Sequence, residues 1–130
     1  MPIRSIAAVL AALAVSWTVP AVACGFCAED RVAAVYDSAT VEKAVREKRH
    51  VAFFEMDSPA KIERRTLSAA LEGAGAVRGS TRLSLTDRAC SIVYDPRRTD
   101  LRRLVIAASA AGVSLTPLRI IDEGGKLREP

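Results

Sequence analysis

The chain has 130 residues, 50% hydrophobic, 26% charged and 5% aromatic, which suits one domain with a modest core. Lys and Arg number 19 against 15 Asp and Glu, a net charge of +4, and so mild an excess spread along the chain points to solubility and away from a nucleic-acid partner. One histidine and 3 cysteines exclude a multi-histidine metal cluster. Any Ser-His-Asp relay would have to rest on His50 alone, and no phosphate-cradling glycine loop follows a strand, so hydrolytic catalysis is not expected.

Met1-Pro-Ile-Arg4 carries one positive charge, and Ile6 to Val19 is a run of apolar and small residues. Ala21-Val22-Ala23 then places small residues where a signal peptidase reads them, so residues 1–23 are expected to be a secretory leader cleaved before Cys24. A membrane span would need about 20 apolar residues, and Pro20 interrupts the run first. The same junction also admits lipidation of Cys24, against which Ala21 stands where lipoprotein signals carry leucine. Export makes the compartment periplasmic or extracellular, and hence oxidising.

Residues 24–49 read as a helical arm opened by Cys24-Gly25-Phe26-Cys27. Val32, Val35 and Tyr36 recur at helical spacing behind Glu29 and Asp30, whose charge suits a first turn. Asp37 or Ser38 can cap a second helix with Val41, Ala44 and Val45 as its stripe, a Glu42–Arg46 pair on its surface, and Lys48-Arg49 at its end.

His50 to Asp57 is apolar on both sides through Phe54, the mark of a central strand covered on two faces. Ser58-Pro59 predicts a helix start, with Ile62, Leu67, Ala70, Leu71 and Ala74 buried and Gly73 and Gly75 ending it. Thr81 to Leu85 alternates, with Leu83 and Leu85 inward, and a turn at Thr86-Asp87-Arg88 leads to a strand at Ser91-Ile92-Val93-Tyr94. Asp95-Pro96 stops that strand. Thr99 is the expected cap of a helix with Leu101, Leu104, Val105 and Ala108 inward, Gly112 its left-handed exit, and Val113 to Asp122 the last strand, ended by Gly124-Gly125. Residues 123–130 read as a tail.

From His50 the order is strand, helix, strand, strand, helix, strand, which predicts an α+β ferredoxin-like βαββαβ sandwich over residues 50–122, with two helices on one face of an antiparallel sheet and the helical arm appended. Leu71 to Val77 closing the first helix, Val93-Tyr94-Asp95-Pro96, then Thr99, Leu101 and Ala111-Gly112 together make this stretch similar to the heavy-metal-associated (HMA) domain of copper chaperones and metal-pumping ATPases. That family binds metal through a methionine and two cysteines after the first strand. Aligned from Leu71, the two cysteine positions fall near Ala60 and Glu63, so the family's loop is missing, although Met56 lies close by.

The thiol pair available is therefore Cys24 and Cys27. Two sulfurs separated by two residues at a helix start can form a disulfide that staples the arm of a metal-free interaction module, share a soft ion, or act as a redox couple. Two thiolates suit a copper ion, Cu(I), whereas structural zinc takes about four ligands. His50, Met56 and Cys90 are the accessory ligands a folded-back arm would recruit, and a metal transporter or another periplasmic protein is the matching partner. Cys90 at a strand start otherwise reads as a small buried hydrophobe. The redox alternative draws on Thr116-Pro117, whose surroundings are similar to the cis-proline segment of thioredoxins.

Overall fold

The structure of the protein, a computed structural model, describes residues 27–57 and 61–130. The expected leader, Cys24 and Ser58-Pro59 lie outside the described residues, but the helix expected to start at Ser58-Pro59 begins only at Arg64, behind an extended Glu63, so Ile62 precedes it. In chain order the elements are α1 (Ala28–Val35), α2 (Ser38–Arg46), β1 (His50–Asp57), α3 (Arg64–Gly73), β2 (Arg82–Ser84), β3 (Ala89–Tyr94), α4 (Leu101–Ala110), β4 (Ser114–Ile121) and β5 (Leu127–Arg128). The class is α+β. The strands form one sheet ordered β2-β3-β1-β4-β5, with every neighbouring pair antiparallel.

β1 takes the centre because its apolar residues fill both faces. Ala52, Phe54 and Met56 enter a core with Ile92, Tyr94 and Leu115 of the flanking strands, Leu67 and Leu71 of α3, and Leu104 and Ala108 of α4. Val51 and Phe53 point the other way, into a second core with Ala89, Val93, Ile121, Val35, Val41 and Ala44. Burying a side chain the size of Phe stabilises by roughly 1.5–3 kcal/mol, so Phe53 and Phe54, at 1% and 0% exposure, anchor one layer each. The expectation that two helices cover a single face holds for α3 and α4. The second face is closed by α1 and α2, so the arm is a structural layer of the domain: without it Val51, Phe53 and Val93 would lie against water.

Three helices end in the same way. At the end of α2, Arg49 N–H donates to Ala44 C=O and Lys48 N–H to Val45 C=O; Ala76 and Gly75 repeat the pattern on Leu71 and Glu72, and Val113 and Gly112 on Ala108 and Ser109. Each pair of bonds satisfies carbonyls that the helix leaves open, and each needs one residue in the left-handed region. Gly75 (φ 110°) and Gly112 (φ 86°) take it freely, while Lys48 takes it at φ 54°. In α3 and α4 the residue after the glycine, Ala76 or Val113, drops into the same core as the helix it terminates, which fixes how each chain leaves toward the sheet.

Several local expectations give way to tertiary contacts. Asp37 caps α2 by accepting from Thr40 N–H at 3.0 Å, but Glu42 and Arg46 form no ion pair and both face water, where such a pair contributes little. The cap of α4 is Asp100, which accepts from Arg103 N–H at 2.9 Å; the Thr99 hydroxyl instead donates to Ala74 C=O at 2.7 Å, tying the start of α4 to the end of α3. β2 is shorter than its pattern suggested, and Leu85, expected inward, is 55% exposed in the turn. Pro117 sits inside β4 opposite Phe54, next to a register shift that leaves Leu118 without a facing partner; a bulge accommodates a residue with no N–H to donate. Residues 123–130 are more than a tail. Asp122 Oδ1 accepts from Gly124 and Lys126 N–H at 2.9 and 3.0 Å, Gly125 turns at φ 75°, and the chain returns to pair Leu127 with Ile121 as β5.

Candidate functional site

Cys27 stands at the head of α1, exposed, with extended backbone and its carbonyl accepting from Arg31 N–H at 3.2 Å. The positive end of a helix favours a thiolate there, opposed by Glu29 and Asp30 in the first turn. Two ion pairs hold this helix end on the sheet. Arg31, 7% exposed, places Nη2 3.3 Å from Glu55 of β1, and Glu29 meets Arg119 of β4 at 3.0 Å. Glu55 shares the side of β1 that carries Val51 and Phe53, so Cys27 belongs to the α1–α2 layer.

The three proposed accessory ligands lie on the other side. His50, Met56 and Cys90 alternate in phase with Ala52, Phe54 and Ile92, toward α3 and α4. Met56 is 1% exposed and packed in that core. Cys90 is fully buried, and burial pushes its thiol up to about 12, so it stays protonated and behaves as an apolar side chain. His50 is 7% exposed and already engaged. Its Nε2 bonds the Glu123 carboxylate, its Nδ1 lies 3.4 Å from the Tyr94 hydroxyl, and its ring meets the Tyr94 ring edge-on with centroids 5.5 Å apart. In the neutral ring, Nε2–H donating to Glu123 leaves Nδ1 to accept from the tyrosine hydroxyl, whereas in the imidazolium both nitrogens donate.

This triad ties the start of β1 to the turn that launches β5. Neither imidazole nitrogen is open to a substrate or an ion. The bond from His50 is the main reason the Glu123 carboxyl is held below its ordinary range, and burial raises the Tyr94 phenol. The sequence reading missed Glu123 because it placed that residue in a tail; the Gly124-Gly125 pair behind it was the available signal for a turn.

No known protein family, curated protein or solved structure matches this chain. The chemistry therefore rests on geometry alone. Among the described residues no three His, Cys, Asp or Glu side chains converge as a metal-binding group, and a whole sheet separates Cys27 from the expected accessory sulfurs and imidazole. Cys24 lies outside the described residues. The Thr116–Pro117 bond is trans, and Cys27 leads into a helix without a preceding described strand, so the cis-proline arrangement behind the redox alternative is not formed. Among the described residues no helix is long and apolar enough to cross a membrane.

Proposed function

We propose that this is an exported, non-enzymatic protein that holds one soft metal ion, Cu(I), between the Cys24 and Cys27 thiolates, on an HMA-like domain with a ferredoxin-like core. The order β2-β3-β1-β4, with α3 and α4 on a common face, supports the ferredoxin-like reading of residues 50–122; α1, α2 and β5 are additions to it. The observation that carries the metal reading is the exposure of Cys27 at the head of α1, within the Cys-Gly-Phe-Cys spacing.

The separation of His50, Met56 and Cys90 sharpens the choice of ion. A site limited to two sulfurs suits Cu(I), which accepts low coordination, and leaves zinc short of its usual four ligands. A site of two sulfurs exchanges its ion readily with a periplasmic carrier or a metal transporter. Titration of the reduced protein with Cu(I) against a competing chelator tests this: one ion per chain is expected, bound by two sulfurs in X-ray absorption, lost in Cys27→Ser and kept in Cys90→Ser. No binding by the reduced wild type would refute it, and turnover in an insulin-reduction assay would point to the redox alternative.

A further inference from the structure

We propose that the loops at the His50 end of the sheet form a binding site for a compact anion carrying two or more phosphoryl groups. Three connections meet there: residues 47–49 between α2 and β1, 75–80 between α3 and β2, and 95–98 between β3 and α4. They enclose a cleft of about 430 Å³ with Arg49, Arg78, Arg97 and Arg98 in its walls. A second hollow of about 130 Å³ adjoins it through Arg49 and Arg78 and adds Lys43.

The charge in this cleft is only partly compensated. Glu47 is engaged by Arg49 at 2.6 Å, and Asp95 by Arg97 at 3.1 and 3.2 Å; the hydrogen bonds from Arg97 hold the Asp95 carboxyl below its ordinary range. Among the described residues Arg78, Arg98 and Lys43 have no carboxylate within ion-pair distance; Arg98 acts on Asp95 at longer range, helping to lower its carboxyl. Arg78 lines both hollows, Arg98 the larger and Lys43 the smaller; cations around adjoining concave spaces favour an anion more strongly than the same charges scattered over a convex surface, because field lines concentrate in a cleft with low-dielectric walls.

The loops are also held in place before any ligand arrives. Val77 N–H donates to Val93 C=O at 2.8 Å, and Thr99 N–H to Asp95 C=O at 3.1 Å. Gly79 N–H donates to the Glu72 carboxylate at 3.0 Å, and the Ser80 hydroxyl to Val77 C=O at 2.6 Å. A site whose backbone is already pinned loses little ordering entropy on binding.

The chemistry of the walls narrows the ligand. Guanidinium forks match the paired oxygens of phosphoryl groups, and the size falls within the range of small-molecule sites. No aromatic residue lines either hollow, so nothing is offered for a base to stack on. The anion itself is what the site reads. It arrives either free in solution or as a lipid headgroup that carries two phosphates.

The test uses the purified chain at low ionic strength, with pyrophosphate followed by calorimetry and with phosphatidylcholine vesicles containing cardiolipin, whose headgroup carries two phosphates, followed by sedimentation. Saturable binding of pyrophosphate is expected, weakened about tenfold or more by Arg78→Gln or Arg98→Gln, the loss of one charge-assisted contact. Arg64→Gln, the same charge change at the far end of α3, should leave affinity within about twofold. Binding to the vesicles alone, with the same sensitivity to Arg78 and Arg98, assigns the ligand to a lipid headgroup. Thermal melts confirm that each variant is folded. Absence of binding in both arms, or an Arg64→Gln variant as impaired as the other two, overturns the proposal.

Discussion

The substitution Gly75→Ala should destabilise this protein far more than a glycine-to-alanine change usually does. Gly75 sits at φ 110°, and a Cβ built there would lie 2.8 Å from Thr99 Cβ and 2.9 Å from its Cγ2. Left-handed backbone costs an L-residue roughly 1–2 kcal/mol, and forcing carbon into occupied space costs roughly 1–3 kcal/mol more. Thr99 cannot retreat cheaply, because its hydroxyl bonds Ala74 C=O and its backbone starts the turn into α4. The sum, about 2–5 kcal/mol, is a large share of the ~5–15 kcal/mol that keeps a domain folded, and at ~4–8 °C per kcal/mol the melting temperature should fall by about 10 °C or more. Gly112→Ala is the internal control. It has φ 86° and nothing within 4 Å of its added carbon, so it carries the backbone cost alone, about 1–2 kcal/mol. Urea unfolding followed by circular dichroism reads both variants; if they lose equal stability, the close approach of Thr99 is not what demands glycine at position 75.

Two further outcomes follow from the titratable groups. Cys90 should resist iodoacetamide at pH 8 in the native protein and react only after unfolding, since burial raises its thiol to about 12 and the thiolate is the reactive form; mass spectrometry showing native labelling of Cys90 would refute this. Glu123 has a folded-state pKa below its ordinary value because His50 donates to it, so its contribution is present above the unfolded pKa and is lost as pH falls through the carboxylate range toward the folded one. Asp37, Asp95 and Asp122 are depressed in the same direction and lose their contributions in the same window. Glu123→Gln should therefore flatten the acid limb of the stability curve, measured by denaturation at successive pH values, and an unchanged slope would remove the His50–Glu123 bond from the account.

Much of the architecture was legible because it depends on neighbours close in sequence. The two-sided apolar run of β1, the stripe Leu101, Leu104, Val105 and Ala108, and the stops at Gly75 and Gly112 are all written within one or two helical turns or one strand. Where a local rule left two adjacent candidates, a distant group chose between them: Ala74 C=O draws the Thr99 hydroxyl away, and capping passes to Asp100. β5 was not legible, since two residues carry no periodicity and only the free edge of β4 makes them a strand.

The candidate sites divide along the same line. The Cys-Gly-Phe-Cys spacing is plain in the sequence, and so is the alternation that puts His50 and Met56 on one side of β1. That Cys27 stands across the sheet from them depends on which face the N-terminal helices cover, and the Arg31–Glu55 pair and the burial of Val35, Val41 and Ala44 decide it. Arg49, Arg78 and Arg97-Arg98 come from three separate loops, so no pattern in the chain announces their cleft. Sequence by itself determined where the longer helices and strands lie, because short-range hydrogen bonds and side-chain periodicity suffice for that. Only the tertiary structure decided which charges and thiols face one another, because closing long loops is favourable only when two buried faces of the same sheet are covered at once.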